Sequence, residues 1–383
     1  MYKHLYSLFL DKNKGIQHYA CHSHHYWPDV TRAATIQYWD DSAQYVDDKW
    51  DYCFEHKLPR VQQLIANNLN LSYPEQIAFA PNTHEFVARI ISCFDPRKTI
   101  NVLTTDSEFY SFDRQINRLI ETGIVNVKKV PTMPFDTFEE RFKEEIKKAD
   151  YDLVFFSHVF FNSGIVTKNF QDIVATITNP DTIIVMDGYH GFMAVPTDLS
   201  SVENRMFYIA GGYKYAQAGE GCCFMYAPKG ANQRPLYTGW YAGFGALKTD
   251  GGNTGYSDNG MRFAGSTMDY AALYRMEASL SLFKQEGLTV EVIHNYVQKM
   301  QENFKNYIAT LNHDHINLNN LLQLDSNHHG HFFTFALEND VITGEIYTLL
   351  KENGVWTDYR GNRLRFGFAI YQNDCINLDF LKK

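Results

Sequence analysis

Two stretches constrain this chain more than any others: Thr182-Ile-Ile-Val-Met-Asp187-Gly-Tyr-His190 and Arg205-Met-Phe-Tyr-Ile-Ala-Gly-Gly-Tyr213-Lys214-Tyr-Ala-Gln-Ala-Gly219-Glu-Gly. Each is a short apolar, β-branched and aromatic run that ends abruptly in polar residues. A strand buried on both faces of a parallel sheet reads this way when it delivers side chains to a crevice at its carboxyl end. The two strands are therefore expected to bring a carboxylate, Asp187, and an amine, Lys214, to one place.

Pyridoxal phosphate (PLP) chemistry wants this pair. A carboxylate facing the ring nitrogen keeps it protonated, so that the ring accepts electrons from a substrate carbon, while a lysine holds the aldehyde covalently and shuttles protons. The plain alternative is that Asp187 caps the following turn and Lys214 is a solvated surface lysine, the commoner fate of charged residues. The flanks favour the first reading. Lys214 sits between two tyrosines, after Gly211-Gly212 and before Gly219 and Gly221, a backbone suited to tight turns and close approach.

The segments Asp187-Gly-Tyr-His190, Gly212-Tyr213-Lys214-Tyr215-Ala-Gln-Ala-Gly219, Thr238-Gly-Trp240 and Leu364-Arg365 resemble kynureninase and its relatives in the class V aminotransferase superfamily of fold-type I PLP enzymes, in order along most of the chain. The resemblance implies an α/β fold with a large domain carrying a mostly parallel seven-stranded sheet, residues 1–265 including an N-terminal loop, and a small C-terminal α+β domain, residues 266–383. It also implies a homodimer with active sites at the subunit interface, and an amino acid as the small-molecule substrate.

Composition agrees with such a partner. A chain of 383 residues with 45% hydrophobic content can build a large and a small core. The net charge of -9, with no basic block, argues against a nucleic-acid partner. The apolar patch near Met1 is too short and too soon broken by charge to be a secretory signal, and no later run approaches membrane-spanning length, so a cytoplasmic protein is expected. The six cysteines are scattered without a C-x-x-C pair, which indicates neither a disulfide framework nor a zinc ribbon. Cys222 and Cys223 lie in a strand-like run and read as packing residues.

Taken in order, Tyr19-Ala-Cys-His22-Ser-His24-His25 offers three histidines, but neighbours in an extended segment point apart and nothing completes a metal set. By resemblance this loop approaches the substrate, which makes His22 or Ser23 a candidate contact. Val61, Leu64, Ile65 and Leu69 fall at helical spacing. After the strand-like Gln76–Ala80, Asn82 or Thr83 reads as an N-cap with Glu85 completing a capping box. Such a helix start suits a phosphate, although an ordinary cap is its usual meaning; the relatives place the cofactor phosphate there, so Asn82 and Thr83 inherit that role.

The resemblance assigns Phe109 to stacking on the cofactor ring. The relatives carry an acid three residues later, where this chain has Phe112, and Asp113 could replace it by a one-residue shift. Asp152–Val159 reads as a strongly buried strand. Phe160 stands where cysteine desulfurases carry a cofactor-contacting asparagine, a departure that argues against that branch. Ser163 matches a hydroxyl that would bond the cofactor, or it stabilises a turn. The resemblance further places His190 against the cofactor, with a core histidine as the alternative, gives Tyr213 a phosphate contact and a proton-supplying role, and sets the indole N–H of Trp240 on the phosphate. Ser266 and Thr267 would reach the phosphate of the neighbouring subunit, or cap the next helix. Kynureninases of one type have asparagine where Gly265 stands.

Helical periodicity resumes from Met268 to Phe283 and over about Val290–Leu311; Gly330–Leu337, Glu345–Asn353 and Arg363–Tyr371 read as strand, helix and strand. Arg365, inside an apolar strand, needs an anionic partner, either a protein or a ligand carboxylate; the relatives use it as a fork for the substrate α-carboxylate. The resemblance thus implies hydrolytic Cβ–Cγ cleavage of an amino acid with Lys214, Asp187 and Tyr213 as catalytic residues. A class V aminotransferase or another β-eliminating enzyme is the alternative, favoured by Phe112, Phe160 and Gly265, and a non-catalytic PLP-binding protein is the remaining possibility.

Overall fold

The computed structural model describes residues 2–244, 253–322, 324, 328–373 and 375–382. Strand β1 (Gln17–His18) stands apart. Seven strands form the central sheet: β2 (Ile77–Ala80), β3 (Ile100–Thr105), β4 (Val125–Val130), β5 (Leu153–Ser157), β6 (Ile183–Asp187), β7 (Phe207–Gly211) and β8 (Cys223–Tyr226). Their spatial order is β2-β8-β7-β6-β5-β3-β4. The pairs from β7 through β4 run parallel, and β8 is antiparallel to both its neighbours. The mostly parallel α/β sheet is thus the one the sequence pattern predicts.

Period-2 alternation places the sheet between two apolar layers. Val154, Phe156, Ile184, Met186, Tyr208 and Ala210 enter the core on one face; Leu153, Phe155, Ile183, Val185, Phe207 and Ile209 enter the other. This explains why these strands read as continuous apolar runs. Helices Leu58–Leu69, Ala271–Gln285 and part of Val290–Leu311 supply the first layer, and helices Thr83–Ile91 and Tyr110–Glu121 the second. A separate core gathers Tyr19, side chains from Val297 onward and the sheet β12-β13-β10-β9, made of β9 (Leu321–Leu322), β10 (Phe332–Ala336), β12 (Asp358–Arg360) and β13 (Arg363–Gly367). Strand β11 (Val355–Trp356) pairs parallel with β1 in a separate two-stranded sheet, and the Gly367 N–H donates to the Tyr19 carbonyl at 2.7 Å, so the N-terminal segment is tied to β13 of the C-terminal sheet.

One boundary differs from expectation for a local reason. The helix expected from Glu345 begins at Asp340, because Asn339 caps it by accepting from the Ile342 N–H at 3.0 Å. Helix Val30–Tyr45 has no marked apolar stripe, and its Ile36 and Trp39 are exposed. The sequence also holds a glycine-bearing stretch, Asp250-Gly-Gly-Asn-Thr-Gly, whose Asp250, Gly251 and Gly252 lie outside the described residues. Among the described residues, no helix is long and apolar enough to cross a membrane.

Phe112 is a core residue, stacked on Phe155 with ring centroids 3.7 Å apart and planes 8° from parallel. Replacing Phe112 by alanine is expected to cost about 3–5 kcal/mol of unfolding free energy, the usual range for deleting a buried phenyl ring. Urea denaturation at constant slope measures it; a loss under about 1 kcal/mol would mean that the stack contributes no more than an exposed pair.

Candidate active site

Parallel strands aim their carboxyl ends the same way, and here those ends collect the polar groups. Strand β5 ends in Ser157 directly opposite Asp187 at the end of β6. Strand β7 ends at Gly211, across from Cys223 at the start of β8. Between Gly211 and Cys222 the chain makes a tight loop that carries Lys214. The Ala218 N–H donates to the Gly212 carbonyl at 2.8 Å, and Gln217 adopts φ 59°. Outside this loop, Arg275 Nε and Ser279 Oγ donate to the carbonyls of Ala218 and Ala216 at 2.7 and 2.6 Å. Gly219, at φ 70°, lies so close to Trp27 that a Cβ would fall 2.5 Å from its ring. Lys214 is therefore held on a fixed loop rather than on a mobile surface segment.

A cavity of about 190 Å³ opens here, lined by Asn82, Thr83, Phe109, Asp187, His190, Tyr213 and Lys214, together with Ser157, Phe161, Tyr189 and Cys223 among others. Seven of the residues singled out in the sequence thus meet in one place. Lys214 is 5% exposed; its Nζ contacts His190 Nε2 and lies 5.5 Å from the Phe109 ring centre. Burial, with Arg365 nearby, pushes the lysine down to about 7. Burial also pushes Asp187 up to about 6, against the Tyr189 N–H and the attraction of Lys214. The Tyr189 N–H donates to Asp187 Oδ1 at 2.8 Å, so the carboxylate does cap the following turn while lining the cavity. Burial pushes the Tyr213 hydroxyl up to about 12. His190, buried, is held well below its ordinary value first by burial and then by Lys214, and its Nδ1 has no partner among the described residues. Asn82 Oδ1 accepts the Glu85 N–H at 3.0 Å, capping the helix that starts at the cavity wall.

The remaining residues singled out in the sequence lie elsewhere in the chain. Ser163 is buried in a turn, its hydroxyl accepting the Ile165 N–H at 3.3 Å, and does not line the cavity. The Trp240 indole N–H donates to Thr267 Oγ1 at 3.2 Å on the outer surface, away from its own chain's cavity, and Ser266 is exposed beside it. Neither Ser266 nor Thr267 caps the next helix, because Asp269 Oδ1 takes the Ala271 N–H. Arg365 and His22 adjoin the site without lining the cavity, and both bind Asp358. Asp113 pairs with Lys129 at 2.5 Å on the surface and does not replace the acid missing at Phe112. A side chain at Gly265 would run into the Arg89 guanidinium. Cys222 packs in the core, whereas Cys223 lines the cavity and lies 3.2 Å from the Tyr189 hydroxyl.

Sequence reasoning missed Glu108. It is 5% exposed and takes hydrogen bonds from the hydroxyls of Ser157 and Thr105, each at 2.6 Å. Burial pushes it up to about 8. Asp358 was missed too, although the Gly361-Asn362 pair is a recognised two-residue hairpin signal that sets 358 opposite 365.

Comparison with known proteins decides the family. The model described as aminotransferase class-V matches residues 28–363. The chain belongs to the aminotransferase class-V family. No curated protein matches it. Solved structures that resemble this class-V chain include the cystine C-S lyase C-DES in complex with its reaction product cysteine persulfide, with TM-score 0.80 and 17% identity over 94% of this chain and 95% of that one. Another is the apo cysteine desulfurase from Thermococcus onnurineus NA1, with TM-score 0.75 and 13% identity over 94% and 91%. A third is the cysteine desulfurase CsdA from Escherichia coli, with TM-score 0.75 and 14% identity over 96% and 94%. At these identities the likeness is one of fold.

The class-V chain is a PLP-dependent enzyme, and its cavity fits that cofactor. The buried amine of Lys214 could take an aldehyde, the Asp187 carboxylate could face a ring nitrogen, and the unpartnered Nδ1 of His190 leaves a polar atom for a bound group to satisfy. Because an aldehyde reacts with the neutral amine, covalent loading of the class-V enzyme with PLP is expected to accelerate as pH rises through about 7 and to level off well below 10.5. Borohydride fixation followed by peptide mapping at Lys214 measures it, and a midpoint near 10.5 would contradict the buried environment.

Proposed function

We propose that this class-V enzyme cleaves a bond at the β-carbon of an amino acid, in the kynureninase manner of hydrolytic Cβ–Cγ scission. The observation that carries the reading is the meeting of Lys214, Asp187 and Tyr213 in one cavity under Phe109. When bound, PLP supplies an electron-accepting ring that stabilises negative charge at a substrate carbon. The chain's own groups do the rest. Lys214, neutral near physiological pH, would hold the cofactor and, once the substrate's amine has replaced it, would take the α-proton at Nζ. Asp187 holds a positive charge on the ring nitrogen, where its carboxylate is worth most because water is excluded. Phe109 and His190 fix the ring's tilt, and the helix start at Asn82 and Thr83 receives the phosphate. Tyr213, whose hydroxyl keeps its proton through the neutral range, returns a proton at the β-carbon.

A second reading is β-elimination, with a specific observation in its favour. The acid expected after Phe109 is replaced by the buried Phe112, and Asp113 faces away, so the site lacks that handle on a kynurenine side chain. The solved structures include a cystine C-S lyase, a chemistry of this kind. Cys223 offers no reactive thiolate, since burial pushes it up to about 12, which speaks against persulfide transfer through that residue.

The enzyme would act in the cytoplasm as a homodimer, with Trp240, Ser266 and Thr267 of one subunit completing the phosphate site of the other. The division into residues 1–265 and 266–383 is proposed on the same footing, with helix Ala271–Gln285 of the second part packing back onto the central sheet.

Lys214→Ala should abolish turnover, Asp187→Asn should lower kcat by about 100-fold, and Tyr213→Phe should lower it by a similar factor. Assay of kynurenine for alanine release and of cystine for pyruvate release decides between the two bond types. A stable pyridoxamine form with neither product would point to transamination, and full activity of Lys214→Ala would remove the proposal altogether.

A further inference from the structure

The arginine beside the Lys214 site already has its anion. Arg365 is 3% exposed and donates from Nε to Asp358 Oδ1 at 2.6 Å and from Nη2 to Asp358 Oδ2 at 2.7 Å, while Nη1 donates to the Phe161 carbonyl at 2.5 Å. Three of its five N–H donors are spent on these contacts. The same carboxylate takes Ser23 Oγ at 2.7 Å and meets His22 Nε2 at 3.1 Å and Arg360 Nη1 at 3.5 Å. Burial works against the charge of Asp358, but His22, Arg365 and Ser23 outweigh it and hold the carboxyl well below its usual range. Backbone register dictates the pairing: the Gly361-Asn362 turn joins β12 to β13 and sets Asp358 directly opposite Arg365.

A two-pronged carboxylate is the partner that a substrate's own carboxylate would offer the guanidinium. One fixed in the chain competes at a high effective concentration. We propose that Asp358 is a specificity-determining residue, an intramolecular competitor that a substrate's α-carboxylate has to displace from Arg365 before it fills the Lys214 site. The inference rests on reading Arg365 as the substrate end of that site. Free carboxylates bind weakly as a result, while an uncharged analogue makes no claim on the fork and is unaffected. Displacement also perturbs His22 and Ser23, because both hold the same carboxylate.

The test is calorimetric titration of the PLP-loaded protein with propionate, which has no amine to react with the cofactor, and with propionamide as the uncharged control. Asp358→Asn is expected to tighten propionate binding at least tenfold and to leave propionamide unchanged. Unchanged or weaker propionate binding in that variant would overturn the proposal and leave Asp358 a mere support for Arg365. Should Asp358→Asn fail to fold, Asp358→Ser serves, and the wild-type protein gives an independent readout. Saturating propionate must shift the ring signals of His22, whose Nε2 meets the same carboxylate at 3.1 Å, and signals that stay the same refute displacement. Arg365→Lys separates the two possible failures. Propionate binding alike to wild type, Asp358→Asn and Arg365→Lys would remove Arg365 from the substrate end and the underlying reading with it. Binding lost in Arg365→Lys but not improved in Asp358→Asn leaves Arg365 in place and removes only the competition.

Discussion

Two cationic side chains, Lys214 and Arg365, are buried close together at the carboxyl end of a parallel sheet, and the rest of the site is arranged around the cost of putting them there. A buried charge survives only if it is paired or gives up its proton. The two groups take different routes. Arg365 cannot lose its proton and is answered by a two-pronged carboxylate. Lys214 has no carboxylate in contact among the described residues and becomes neutral near physiological pH instead, partly because Arg365 repels its charge. The same electrostatic field therefore leaves one cation firmly charged and the other a nucleophilic amine.

The acids follow the same logic in reverse. Asp187, partly open to the cavity and attracted by Lys214, rises only to about 6, whereas Glu108, enclosed behind it, rises to about 8. Ser157 links them, since it stands opposite Asp187 in the sheet and donates its hydroxyl to Glu108. Burial at the strand ends, with Arg365 for the lysine, thus sets the proton affinities of Lys214, Asp187 and Glu108.

Much of this was legible in the residues. Continuous apolar runs at β5, β6 and β7 identified a sheet buried on both faces, and the polar residues that close β6 and follow β7 marked its working end. The cap at Asn82 was readable because Asx capping is a local hydrogen bond within one turn. Helix Val30–Tyr45 was not, since its apolar side chains do not fall on one buried face and periodicity carries no signal there. Ser163 shows the opposite limit: a hydroxyl-glycine pair looks the same whether it serves a ligand or a turn, and only its neighbours decide.

By itself, then, the sequence determined the α/β class, the place of Asp187 and Lys214 at strand ends and the family resemblance, because each of these is written in local periodicity or in a short contiguous motif. Tertiary structure alone decided that Glu108 is buried, that Asp113 faces away and that Arg365 with its carboxylate partner is buried beside the Lys214 site. Those outcomes depend on which distant segments desolvate a side chain and which opposite charge they bring within reach, and Coulomb interaction and burial act through space rather than along the chain.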